Sequence, residues 1–153
     1  MGELLPYKGE FVSCQDEYSL ACRKFEKDLL LLSEMMEVSP MTWGSLGQGI
    51  LTGKYNRENV NFSTNDRRNR DIYVNFHGDK LEQNLKIVDA LRKIATNHNK
   101  SIPACAIRFI LDYIPGSVVL AGVKKPSQLL SNIEAMDWYL TTDEIEMLKE
   151  VSQ

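Results

Sequence analysis

A chain of 153 residues with 43% hydrophobic and 25% charged content carries enough apolar material for one packed core and is too ordinary in charge to be disordered. Its net charge of −3 excludes the basic face that a nucleic acid or an anionic membrane surface would require, and the longest apolar run, Leu29 to Leu32, is far too short to span a bilayer. Three cysteines without a Cys-x-x-Cys pair (Cys14, Cys22, Cys105) and two histidines without a second ligand at helical spacing (His77, His98) indicate neither a disulfide framework nor a metal site, and an amino terminus without a basic-then-apolar leader sets the expected compartment as cytoplasmic.

Residues 1–10 hold Pro6 and Gly9 without any period and read as a lead-in. Phe11 to Gln15 alternates apolar and polar residues, as a short strand does. After a turn at Asp16 to Ser19, the apolar residues Leu20, Phe25, Leu29, Leu32 and Met36 recur among charged ones, which predicts an amphipathic helix from Leu20 to about Glu37. Val38 to Trp43 reads as a second strand, although Pro40 removes one backbone donor from it.

The stretch that follows, Met41 to Tyr55, is the richest in the chain: Gly44, Gly47, Gly49, Gly53 and Lys54 come directly after an apolar run ending in Trp43. Glycine permits positive φ and lets a ligand approach the amides, so an anion-cradling loop at the carboxyl end of a strand is one reading. An ordinary glycine-rich turn is the other, because neither G-x-G-x-x-G nor a Gly-Lys-Ser/Thr phosphate loop is present. Gly44 to His77 is too long for a plain connection, and its Asn65-Asp66-Arg67-Arg68-Asn69-Arg70 segment concentrates guanidinium groups suited to phosphate or simply to solvent.

The period of Leu81, Leu85, Val88, Leu91 and Ile94 predicts a helix over Asp79 to Asn97, and Ser101 with Pro103 opens another that Ile114-Pro115-Gly116 stops. Ser117 to Gly122 is an apolar, β-branched run of the kind buried on both faces of a parallel sheet. A helix from about Ser127 to Ala135 follows, placing Gln128 and Asn132 four apart on one face near its amino terminus, where amides and dipole favour phosphate. Thr141-Thr142-Asp143-Glu144 is a capping box for a last helix through Val151. Three strands alternating with helices, with crossovers long enough for parallel pairing, make the fold class α/β.

Three stretches in order, Cys14 to Leu20, Trp43 to Tyr55, and Leu120 to Asn132, jointly resemble the aldo-keto reductase family, most closely its branch of bacterial general-stress reductases and potassium-channel β subunits. The resemblance runs from about Phe11 to the end and reaches the last three βα units of that family's eight-stranded TIM barrel. It implies a partial (β/α)8 architecture of three parallel strands with outer helices, residues 1–153 forming a single domain that corresponds to the carboxyl-terminal part of an NADP(H)-dependent oxidoreductase acting on aldehydes and ketones. It further implies that Gln15 holds the nicotinamide carboxamide, that Trp43 stacks on the nicotinamide ring, and that Gly44, Ser45, Leu46, Gly47 and Lys54 hold the pyrophosphate. By the same resemblance Arg68 matches the loop arginine that follows Asp66, and Gln128 and Asn132 match the pair that holds the adenosine phosphate. Ser131 stands where the family often has a glutamate. The family's catalytic aspartate, tyrosine, lysine and histidine sit on early strands that the resemblance does not reach, so no catalytic residue is assigned. The chain alone is then expected to be inactive unless an amino-terminal barrel fragment or self-association completes it. The alternative is a remnant that binds nucleotide or protein without turnover.

Overall fold

The computed structural model describes residues 3, 5–60 and 62–153. Strands β1 (Ser13–Glu17), β2 (Ser39–Trp43) and β3 (Val118–Val119) form one sheet in that order, both pairs parallel. Helix α1 (Glu26–Met36) crosses from β1 to β2; α2 (Gly78–His98) and α3 (Ile102–Tyr113) cross from β2 to β3; α4 (Pro126–Ile133) and α5 (Thr142–Val151) complete the chain. Three short 3-10 turns, Gly47–Thr52, Arg67–Asn69 and Val74–Phe76, punctuate the long segment between β2 and α2. The result is an arc of a βα barrel that is not closed.

Register decides what each strand side meets. Asp16, Thr42 and Val119 are neighbours across the sheet, as are Cys14 and Pro40, and this face turns to the helices: Pro40 and Thr42 are buried and Cys14 and Val119 pack on the core. The other face carries Gln15, Met41 and Val118 in one row, and it is open, with Val118 at 46% exposure. The expectation that the third strand is buried on both faces is therefore corrected. A parallel strand is buried twice only when further structure packs over its second face, and none of the described residues does so.

Pro40 is harmless for a geometric reason. The amide of Ser39 donates to the carbonyl of Val12 at 2.9 Å, so position 39 addresses β1 and position 40 addresses the β3 side, where pairing involves only Met41 and Thr42. The donor that proline lacks would have had no partner.

The first helix starts later than its apolar period suggests. Tyr18, Leu20 and Ala21 are buried in a tight turn closed by the Ser19 and Cys22 backbones, and α1 begins at Glu26. Beneath that turn the phenol of Tyr18 and the guanidinium of Arg23 both donate to Glu26, while Arg23 also reaches the carbonyl of Lys149 at 2.8 Å and the Ser152 hydroxyl at 2.9 Å. The start of α1 is thus tied to the end of α5. Helix α2 buries Leu85, Ile87, Val88, Leu91, Ile94 and Ala95 against α3 and α5, and the glycine loop contributes Ile50 and Leu51 to the same core. The hydroxyl of Ser101 caps α3, and Thr141 and Glu144 exchange both capping-box bonds at α5.

Candidate functional site

At the carboxyl ends of β2 and β3 lies a cleft of about 890 Å³. Its floor is the glycine loop, its outer wall the arginine segment, and its far wall the start of α4. Seven residues singled out in the sequence border it: Gly44, Ser45, Leu46, Lys54, Arg68, Gln128 and Asn132. Gly47 is buried within the loop, and Gln15 and Trp43 do not border the cleft: both lie exposed on the open sheet face, Trp43 directly before Gly44.

The loop's shape comes from left-handed backbone. Gly47 has φ of 55°, and a Cβ there would sit 2.9 Å from the Cβ of Ala21. Gln48, the residue after it, also adopts φ of 60°, an uncommon conformation for a residue with a side chain. The hydroxyl of Ser45 is spent internally on the carbonyls of Thr42 (3.0 Å) and Leu120 (3.4 Å), which pins the loop to the ends of both strands. Ser45 and Leu46 thus present backbone, rather than side chains, to a ligand.

The opposite wall is a built unit. The carboxylate of Asp66 accepts from the Arg68 amide at 3.0 Å and from its guanidinium at 2.9 Å, and the same guanidinium donates to the Tyr55 hydroxyl. Arg68 lies 4.3 Å from the centre of the Phe62 ring, and Tyr55, Phe62 and Phe76 pack edge to face at 5.8, 5.3 and 5.1 Å. The guanidinium of Arg68 holds the Asp66 carboxyl far below the usual carboxylate range, and Asp66 in turn raises Arg68. Sequence spacing brought Asp66 and Arg68 together; the aromatic cage around them, spread from Tyr55 to Phe76 without a period, carried no sequence signal.

Charge at the cleft opposes that of the molecule. Lys54, Arg67, Arg68 and Lys124 border it against one carboxylate, Asp66, while the whole chain is acidic. Asp66 neutralises Arg68, and among the described residues Lys54, Arg67 and Lys124 have no ion-pair partner. Arg67 stood in the sequence only within the arginine segment suited to phosphate or to solvent, and Lys124 was not singled out as a site residue. At the far wall, Asn132 is only 9% exposed, borders the cleft, and its carboxamide makes no hydrogen bond to another described residue. Its polar atoms are not sealed in the core but open to the cleft, where a ligand can meet them. Gln128 is different: its Oε1 accepts from the amides of Lys124 at 2.7 Å and Lys125 at 3.0 Å, so it shapes the turn into α4 and keeps only its NH2 for a ligand.

A parallel βα sheet whose carboxyl ends carry a glycine loop, unpaired cations and a helix start is the arrangement of an α/β protein that handles a phosphorylated nucleotide. The model of the aldo/keto reductase family matches residues 6–153, and the chain belongs to that family of oxidoreductases, which binds nicotinamide dinucleotides. It is 33% identical over 131 residues to an aldo-keto reductase of Bacillus subtilis, covering 85% of this chain and 39% of that protein. It is 27% identical over 154 residues to the NADH-specific methylglyoxal reductase of Escherichia coli, covering 99% of this chain and 44% of that one. Among solved structures, the glycerol dehydrogenase of Gluconobacter oxydans superposes with a TM-score of 0.79 at 31% identity, over 90% of this chain and 41% of that chain. The chain thus spans about two fifths of the length of the relatives it matches. No helix among the described residues is long and apolar enough to cross a membrane.

Proposed function

We propose that residues 1–153 act as one unit, the NADP(H)-binding carboxyl-terminal part of a cytoplasmic aldo-keto reductase that reduces aldehydes or ketones. The observation that carries this reading is the combination, around one cleft, of three unpaired cations with the Asn132 carboxamide, which opens to the cleft and bonds to no other described residue. The residues present fit a dinucleotide. Amides of the Gly44 to Gly47 loop and Lys54 would meet the pyrophosphate, Arg68 would close the outer wall, and Gln128 and Asn132 would hold the adenosine end. Lys124 and Arg67 favour the extra phosphate of NADP(H) over NAD(H), because both are exposed and unpaired at that rim. Gln15 and Trp43, on the open face beside the loop, would receive the nicotinamide. When bound, the cofactor supplies a hydride; the chain's own part is to fix that ring.

Reducing a carbonyl also needs a proton donor of tuned pKa. The tyrosine, lysine, aspartate and histidine that serve this in the family do not match positions in this chain. Of its own tyrosines, Tyr18 is fully buried with its phenol bonded to Glu26, and Tyr55 is held by Arg68. NADPH oxidation with common aldehydes should therefore stay at background for this chain and rise when the five amino-terminal βα units of a relative are co-expressed with it. Turnover by the chain alone, lost on Trp43→Ala, would overturn the assignment. A second reading, a nucleotide- or protein-binding unit without turnover, is favoured by the apolar surface: Val118 on the open sheet face and Leu129, Leu130 and Ile133 on α4 are 46%, 52%, 65% and 49% exposed. An amino-terminal barrel fragment or a second copy of the chain would cover it. Complex formation without turnover would select this reading.

A further inference from the structure

We infer that Asn75 and Asn84, neither of which borders the cleft, are positioning residues that hold the glycine loop in its ligand-ready shape through Gln48. The inference rests on the dinucleotide reading and adds to it the part of the fold that prepares the loop. Three carboxamides form a line from the core to the cleft. Asn84, at 0% exposure on α2, donates from Nδ2 to the main-chain carbonyl of Asn75 at 3.1 Å and to its Oδ1 at 3.2 Å. Asn75, at 4% exposure, donates in turn to the Oε1 of Gln48 at 3.4 Å, and Gln48 borders the cleft.

Two features point to positioning rather than packing. The Oδ1 of Asn84 is buried without a partner, a standing penalty that an isosteric leucine among Leu85, Ile87 and Val88 would not incur; what the carboxamide contributes is its grip on Asn75. Gln48 stands at positive φ between two glycines that also take it, and such a conformation persists in a residue with a side chain only where its surroundings enforce it. Asn75 holds that side chain, and the Thr52 hydroxyl holds the neighbouring Gly49 carbonyl at 2.7 Å. The same short segment grips the other wall, because His77 Nε2 lies 3.0 Å from the carbonyl of Arg68. Residues 74–77 therefore tie the floor of the cleft to its outer wall and link both to the rigid α2. A loop already in shape binds without paying for its own ordering.

The test is NADPH titration of this chain, read by Trp43 fluorescence, for the parent, Gln48→Gly, Asn75→Ala, Asn84→Leu and the Gln48→Gly/Asn75→Ala double variant, with urea unfolding in parallel. Each single change should weaken binding about 3- to 10-fold, the worth of one modest hydrogen bond, and the double variant should bind no worse than its weaker parent. Gln48→Gly should leave stability unchanged or raised, because it relieves positive φ, whereas Asn84→Leu should lower it, because the buried carbonyl and Oδ1 of Asn75 lose their donor. Losses of affinity that add in the double variant would overturn the relay, since Gln48 would then act independently of Asn75; so would unchanged affinity in Gln48→Gly. Should the parent chain show no quenching, the cofactor reading falls while the relay is still read directly. The amides of Gly47, Gly49 and Leu51, bonded within the loop at 2.7, 2.9 and 3.2 Å, should exchange faster in Asn75→Ala and Asn84→Leu, with α3 unaffected. Unchanged loop exchange would overturn it.

Discussion

Replacing Gly47 by alanine should unfold the chain more readily than the same change at Gly116, and the difference measures how tightly the glycine loop is seated on the core. Both glycines have left-handed backbone, with φ of 55° and 65°, so both changes carry the conformational cost of about 1–2 kcal/mol for an L-residue there. At Gly116 the new Cβ meets nothing within 4 Å. At Gly47 it would lie 2.9 Å from the Ala21 Cβ and 2.9 Å from Ile50 Cγ2. Ala21 is 2% and Ile50 0% exposed, and a Cβ has no rotamer by which to step aside, so the loop or the Tyr18 to Cys22 turn must shift. Overpacking of this kind costs about 1–3 kcal/mol. Gly47→Ala should therefore lose about 2–5 kcal/mol in total and Gly116→Ala about 1–2 kcal/mol. Urea unfolding by far-UV circular dichroism, with equal m values, reads the difference as a midpoint shift. Equal losses at the two positions would show that the loop does not rest on Ala21 and would remove the basis for its shape.

Acid should loosen the tie between α1 and α5. Burial pushes the Glu26 carboxyl up, but the bonds from Arg23 and Tyr18 outweigh it and hold it below its ordinary value of 4.5. A lowered folded value means this stabilisation is complete above about pH 4.5 and is lost as pH falls below it; Glu26→Gln should flatten that limb of the urea-midpoint profile, and an unchanged slope would refute the assignment. The Cys105 thiol, buried and pushed up to about 12, should resist an aromatic disulfide reagent at pH 8 in the native chain while the partly exposed Cys14 and Cys22 react; three fast equivalents would contradict the core packing. Because Lys54, Arg67 and Lys124 are exposed and unpaired at the cleft, NADPH affinity should fall steadily with added salt, and a salt-independent titration would place the ligand elsewhere.

The elements most legible in the sequence were those whose signal is local. Helix α2 shows its apolar period over five turns, and the Thr141 and Glu144 capping box starts α5 where it was read. Parallel order was legible because strands alternate with helices and each crossover is long enough for parallel pairing. What escaped depends on distant partners. Leu20 fits a helical period, yet it belongs to a buried turn, since periodicity registers burial and not backbone conformation. Val118 reads as doubly buried because β-branched runs usually are; its second face is open for want of further strands. Of the cleft, the glycines, Lys54, Arg68, Gln128 and Asn132 were visible through a family resemblance. Arg67 was legible only as one of a cluster of arginines, and the Asn84 to Gln48 line behind the loop was not legible at all, because nothing in local spacing shows that residues 27 and 36 positions apart share one bond network.

The central claim is that the cleft binds a nicotinamide dinucleotide, and the most direct measurement is Trp43 fluorescence during NADPH titration in a Trp138→Phe background. That background isolates the signal, because Trp138 is bonded to the Glu134 carbonyl and packed on His98, and it does not border the cleft. The account predicts saturable quenching with weak affinity, since the open sheet face leaves one side of the cofactor in water, and it predicts further weakening by Lys124→Ala and Arg68→Ala. No quenching at millimolar NADPH, from a protein shown by circular dichroism to be folded, would contradict it.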